Sequence, residues 1–283
     1  MKKRYWAVLP VFLAMAGTLS AADVVAVLSG DSGPYKEALE GLKAVVGEVD
    51  AATLPAQPDL AHAKVIVTFG SEAALRKYPA TAALVAALLP DPKLRPKHAG
   101  ALTRIGLTPA PALLAAKIKA LQPGAATLAA LDPGNYGEYL AALRGAAGAV
   151  GLALQVKKVE SLADLATKLP GLKGEAQALW VPPDPLFMNP KTFGLLVAFC
   201  KGAGIGLYVP VAGLAKAGAL AGVAPSFKQQ GRAAGTAAQA YLSGSKGGEW
   251  VYADKTDFIA NKTVAAELGV AAAALAKADS TVE

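Results

Sequence analysis

The stretch Val65-Ile66-Val67-Thr68-Phe69-Gly70-Ser71-Glu72-Ala73-Ala74 decides the fold. Five nearly continuous apolar residues stop at a glycine, and a hydroxyl and a helix start follow. Near-continuous apolarity over about five residues is how a strand buried on both faces reads. Similar runs recur at Val24 to Leu28, Leu84 to Leu89, Thr127 to Leu131, Ala178 to Val181 and Ile205 to Val209. Amphipathic, Ala-rich stretches lie between them. Pro34 to Lys43 places Ala38, Leu39 and Leu42 on one helical face, and Tyr136 to Ala149 and Lys228 to Leu242 look similar. Strand-helix-strand repetition predicts an α/β fold with parallel sheets. The strands fall into two groups, from Asp23 to about Leu89 and from about Thr127 to Val209, giving two doubly wound, Rossmann-like lobes. The Pro-, Lys- and Arg-rich stretch Pro90 to His98 separates the groups, and Ala99 to Leu107 reads as a crossing between lobes.

The N-terminus reads as a cleavable export signal over residues 1–22. Lys2, Lys3 and Arg4 precede an apolar stretch from Trp6 to about Gly17, and Ser20-Ala21-Ala22 offers cut points after Ala21 or Ala22. The apolar run is short of the ~20 residues a membrane-spanning helix needs. With no Cys near the cut, a lipid anchor is not expected. The chain carries 28 Lys+Arg against 21 Asp+Glu, net +7; removing Lys2, Lys3 and Arg4 leaves 25 against 21, or +4. The remaining lysines are scattered without interleaved aromatics, so no nucleic-acid footprint is read. The single cysteine, Cys200, sits in an apolar pattern and reads as core. His62 and His98 have no Cys or acidic partner at metal-ligand spacing, so no metal site is expected.

Ligands of open parallel sheets bind beyond the carboxyl ends of the strands. After the first run come Ser29-Gly30-Asp31-Ser32-Gly33-Pro34-Tyr35. These could present backbone N–H groups to an anion, and a plain turn with Ser32 or Asp31 as cap and Pro34 in the first helical turn accounts for them equally well. The glycines do not match Gly-x-Gly-x-x-Gly. Thr68 and Ser71 offer hydroxyls at a helix start, suiting a carboxylate, and Ser71 also reads as a cap. Asp184 before Pro185 is an N-cap signature that could equally hold an amine. Asp132 to Gly137, with Asn135 and Tyr136, is a turn whose side chains could reach a cleft. No catalytic set, cofactor motif or phosphate loop is found.

The ordered matches Ala178-Leu179-Trp180-Val181-Pro182-Pro183-Asp184, Lys216 to Ala221, Gln230-Gly231-Arg232 through Leu242-Ser243-Gly244, and Asn261 to Val270 carry a resemblance. The chain resembles the ABC-transporter substrate-binding protein family with the type 1 periplasmic-binding fold, in the branch that includes proteins for tryptophan and tyrosine uptake. The resemblance implies a clamshell hinged between an N-terminal lobe (23–103 plus 223–247) and a C-terminal lobe (104–222 plus 248–283). It implies a monomeric, non-enzymatic periplasmic protein that captures a small-molecule solute for an ABC permease; the alternative use of the same scaffold is to feed a sensor kinase or envelope complex. By position, Thr68 and Ser71 would hold a carboxylate, Asp184 an amine, and Tyr35 and Tyr136 would flank an apolar or aromatic solute, with Asp31 and Asn135 nearby. Three places depart from the family pattern: the turn Pro210-Val211-Ala212-Gly213-Leu214 lacks its acidic or hydroxyl residue, Asn135-Tyr136-Gly137 replaces Asn-Ser, and Ala99 to Leu102 lacks Asn-x-Thr-Gly.

Overall fold

The computed structural model of the protein describes residues 23–245 and 249–283, so the stretch read as an export signal lies outside the described residues. The chain starts with β1 (Val24–Leu28), α1 (Gly33–Val46), β2 (Asp50–Thr53), β3 (Val65–Phe69), α2 (Ser71–Ala74), β4 (Ala83–Leu89) and β5 (Leu102–Gly106). It continues with α3 (Pro111–Leu121), β6 (Thr127–Asp132), α4 (Gly137–Ala149), β7 (Ala153–Lys158), α5 (Leu162–Lys168), β8 (Ala178–Trp180), α6 (Pro185–Met188), α7 (Pro190–Ala203), β9 (Gly206–Val209) and β10 (Ala221–Ala224). Last come α8 (Phe227–Leu242), β11 (Trp250–Val251), β12 (Asp257–Asn261), α9 (Lys262–Glu267), α10 (Ala272–Leu275) and β13 (Ser280–Val282).

Two sheets result. The first has the order β11-β5-β4-β3-β1-β2 and the second β13-β12-β10-β9-β8-β6-β7. Every pairing in the first is parallel. The second is parallel except where β12 returns antiparallel to β10. β1 and β3 are buried at all five positions, because helices cover both faces of such a sheet. This is the two-lobed α/β architecture the apolar runs predict.

The chain crosses between sheets after β5, after β10 and after β11. Arg104–Gly106 and Trp250–Val251 pair within the first sheet and Val223–Ala224 within the second. The expected limits put the first two segments in the C-terminal lobe and the last in the N-terminal lobe, so the sheets change over a few residues later than those limits. The stretch Ala99 to Leu107, read as a crossing, contains a strand of the first sheet and crosses only from Leu107. Arg104 locks this strand end. Its buried guanidinium donates to the carbonyl of Pro92 (2.9 Å) and to Glu249 (3.1 Å), and lies 4.9 Å from the centre of the Trp250 ring. Arg95 also pairs with Glu249.

Helix α8 follows a second-sheet strand but packs on the first lobe. A Cβ at Gly231 would overlap the carbonyl oxygen of Ala38 in α1, and one at Gly41 would overlap the carbonyl of Lys228. The two helices therefore touch backbone to backbone. Buried Gln230 donates from Nε2 to the carbonyl of Gly106 (2.8 Å), and Gln239 does so to that of Val45 (2.8 Å). Ser226 and Gln229 form a complete capping box at the start of α8.

Two alanine substitutions test this packing. Gly231→Ala forces the helices apart and should cost about 1–3 kcal/mol. Gly145→Ala, at an exposed α4 position with open space around it, should stabilise by roughly 0.5–1 kcal/mol. Urea unfolding of both variants reads the two signs.

Candidate functional site: a cleft between two sheets

In the first sheet the strand order reverses between β1 and β3, and in the second between β6 and β8. Such switch points open a crevice beyond the strand ends. At the first, the chain is shaped by close contacts. Ser29 donates its N–H to the carbonyl of Phe69 (2.9 Å), and its Oγ accepts from the N–H of Ala73 (2.9 Å). Ser29 therefore satisfies the start of α2. The position expected for a cap, Ser71, is instead the first residue of that helix, after Gly70.

Gly70 has φ +93° and donates its N–H to the carbonyl of Ala87 (2.9 Å). A Cβ there would lie 2.7 Å from Ser29 Oγ and 2.9 Å from Tyr35 Cε1, so only glycine fits. Nearby, β4 breaks register between Ala86 and Leu89. Within that irregularity Leu88 has φ +57°, the only positive φ of a non-glycine among the described residues. Such a conformation costs about 1–2 kcal/mol, and strain of this kind gathers at functional sites.

Ser29, Ser32, Tyr35, Gly70, Ser71 and Leu88 line a cavity of about 450 Å³. Leu107 and Phe227, each at a crossing, also line it, and both line a second cavity of about 270 Å³. The far wall of the second cavity comes from the second lobe: Pro183 after β8 and Pro210, Val211, Ala212 and Gly213 after β9. Together the two cavities form a cleft with one wall on each lobe and its floor at the crossings.

The structure brings Tyr35 and Ser71 together in this cleft. The other expected ligand residues lie elsewhere. Thr68 is fully buried within β3, and its hydroxyl has no hydrogen-bond partner there. Alternation along the strand puts it on the same sheet face as Ile66, which packs with Ala73 of α2. Asp31 is exposed and pairs with Lys36 at 3.0 Å. Asp184 is the N-cap of α6, accepting from the N–H of Leu186 at 2.9 Å. Asn135 and Tyr136 tie the lobes: Asn135 Nδ2 donates to Asp91 Oδ1 (3.0 Å) and the Tyr136 hydroxyl to the carbonyl of Pro90 (2.6 Å). Burial, followed by the carboxylates of Asp184, Asp91 and Asp132, holds the Tyr136 phenol well above its ordinary pKa, so it remains a donor.

Cys200 is buried, and burial pushes its thiol up to about 12. His98 bonds the carbonyl of Ala82 at 3.0 Å. No group of three metal-ligating side chains occurs among the described residues. Sequence reasoning did not single out Ser29, Leu88, Leu107 or Phe227 as site residues. Ser29 had a signal, as the first residue past an apolar run; Leu88 had none, because a bulge inside such a run leaves no mark.

Residues 118–282 match the family model for ABC transporter substrate binding protein. That is more than half of the chain, and the chain belongs to this family. Among solved structures it is similar to an ABC domain in complex with L-Trp from Streptococcus pneumonia, at 18% identity and TM-score 0.60 over 92% of this chain and 99% of that one. A ligand-free, open substrate binding protein with adhesive properties from Clostridium difficile is similar at 17% identity and TM-score 0.65, over 92% and 98%. A conserved domain protein from Vibrio cholerae is similar at 19% identity and TM-score 0.60, over 93% and 100%. No curated protein matches the chain. The fold is the type 1 periplasmic-binding fold, and the protein is a solute-binding protein of that family. No helix among the described residues is long and apolar enough to cross a membrane.

The tie between the lobes is testable. Tyr136→Phe leaves the Pro90 carbonyl without its buried donor and should cost about 1 kcal/mol. Asn135→Ala, at a half-buried position, should cost less. Chemical denaturation of the two variants gives the ranking.

Proposed function

We propose that the protein captures a small organic solute, amino-acid-like in size, between its two lobes and delivers it to the membrane permease of an ABC importer. The observation that carries this reading is the cleft itself. Its walls come from the switch point of one sheet and the strand ends of the other, and it opens where the three crossings allow the lobes to hinge. A volume of about 450 Å³ on the first-lobe side lies within the ordinary range for small-molecule sites. Tyr35 and Phe227 supply aromatic surface for an apolar or ring-bearing solute, and the hydroxyls of Ser32 and Ser71 supply polar contacts. The L-Trp held by the Streptococcus neighbour supports a solute of this size.

We take each lobe to move as a unit, with the boundaries near Leu107, Ser226 and Tyr252, and the protein to act as a monomer. Residues 1–22 would direct it to the periplasm and be removed. N-terminal sequencing of the exported protein should begin at Ala22 or Asp23; an intact Met1 on the exported protein contradicts export by cleavage.

Thermal-shift and calorimetric screening against aromatic and branched amino acids, small carboxylates, purines and sugars tests capture. A true solute at 100 Kd adds about 2.7 kcal/mol of stability, and Tyr35→Ala should weaken its binding by roughly tenfold, the loss of an aromatic contact. A flat response across the whole library contradicts the proposal.

A further inference from the structure

The charges around the cleft are of one sign. Among its lining residues are three carboxylates, Glu72, Glu37 and Asp257, and no lysine, arginine or histidine. Glu72 is offset by Arg76, 3.3 Å away one turn along. The lysines adjacent in sequence to the lining residues Glu37 and Phe227 are also committed: Lys36 to Asp31 at 3.0 Å and Lys228 to Glu40 at 3.7 Å. Glu37 makes no ion pair among the described residues. Asp257 accepts a side-chain hydrogen bond from Gln229 Nε2 at 3.0 Å and makes no ion pair among the described residues. Glu37 stands on the first lobe and Asp257 on the second, and both line the same cavity.

Apart from the serines and Tyr35, the remaining lining is glycine, proline and apolar residues. Leu88 keeps an isobutyl side chain in the cleft despite a backbone conformation that glycine would hold without strain. Val211 is 41% exposed on the opposite wall, beside Pro210. An apolar wall on each side and an unpaired carboxylate on each lobe suit one kind of solute.

Resting on the cleft reading above, we propose that the solute is an amine with an apolar body and no compensating carboxylate, its cation held between Glu37 and Asp257. A cation reached from both lobes would draw them together. A solute carboxylate would meet no cationic side chain there and would keep its desolvation cost. Burial, more than any other influence, raises the Asp257 pKa, in keeping with a carboxylate that lacks a cationic partner.

Titration calorimetry of the purified protein with tryptamine, L-tryptophan and indole-3-acetate separates the possibilities on one ring system. Putrescine serves as a cation without an apolar body. We expect tryptamine to bind tightest, indole-3-acetate weakest by at least about tenfold, and putrescine weakly. Asp257→Asn keeps the acceptor for Gln229 and should weaken tryptamine by roughly tenfold without weakening indole-3-acetate. Glu37→Gln, at an exposed position where folding is insensitive, should weaken tryptamine by about two- to fivefold. Indole-3-acetate or L-tryptophan binding as tightly as tryptamine overturns the proposal, as does an unchanged tryptamine affinity in both variants. If only a sugar or another neutral probe binds, and Tyr35→Ala abolishes it, the charge assignment falls while solute capture in the cleft stands. If no probe of any class binds, both fall.

Discussion

The backbone contact between α1 and α8 is the constraint on which the two-lobed arrangement depends. The chain leaves the first sheet after β5 and builds the second as far as β10. It then has to return. Gly231 against the carbonyl of Ala38, and Gly41 against that of Lys228, let α8 press onto α1 at a distance no side chain permits. This return makes the link between the lobes a set of crossings rather than a single tether. It places Phe227, the first residue of α8, at the floor of the cleft opposite Leu107. Since several strands cross at one place, the lobes can turn about that place but cannot drift apart.

The cleft follows from the same economy. Strand order reverses between β1 and β3, so the helices after them leave on opposite faces and a crevice opens. Its shape is set by main-chain contacts: Gly70 close against Ser29 and Tyr35, and Ser29 holding the start of α2. Leu88 in its bulge adds an apolar side chain where a regular strand would have turned it away. The second lobe brings little but proline and small apolar residues. What polarity the cleft has comes from serines at its first-lobe wall and carboxylates at its edges.

Much of the fold is legible in the sequence, because a strand covered on both faces must be apolar throughout. β1, β3, β8 and β9 lie within runs that can be read directly, and β4 and β6 extend one residue beyond theirs. Edge strands cannot be read this way. β2 is exposed or half-buried at all four positions, and β7 ends in two lysines and is buried at one position alone, so neither carries a continuous apolar signal. β5 contains the buried Arg104, which makes it look like a crossing. The site is less legible still. Tyr35 and Ser71 are found because they follow apolar runs at the strand ends. Thr68 lies within its strand, buried on the same face as Ile66. Asp184 is a cap and no more than partly exposed. Asn135 and Tyr136 reach Pro90 and Asp91, a contact set by how the lobes meet, which no local pattern encodes. Phe227 and Leu107 enter the cleft only because the chain crosses there.

Capture in this cleft requires that one solute touch both lobes at once. Hydrogen–deuterium exchange, with and without a compound that raises the melting temperature, tests it most directly. Exchange should slow at Ser29 to Tyr35 and Gly70 to Glu72 on one lobe, at Val211 to Gly213 on the other, and at Leu107 and Phe227 between them. Protection confined to one lobe, or centred on the groove between α7 and α9, would contradict it.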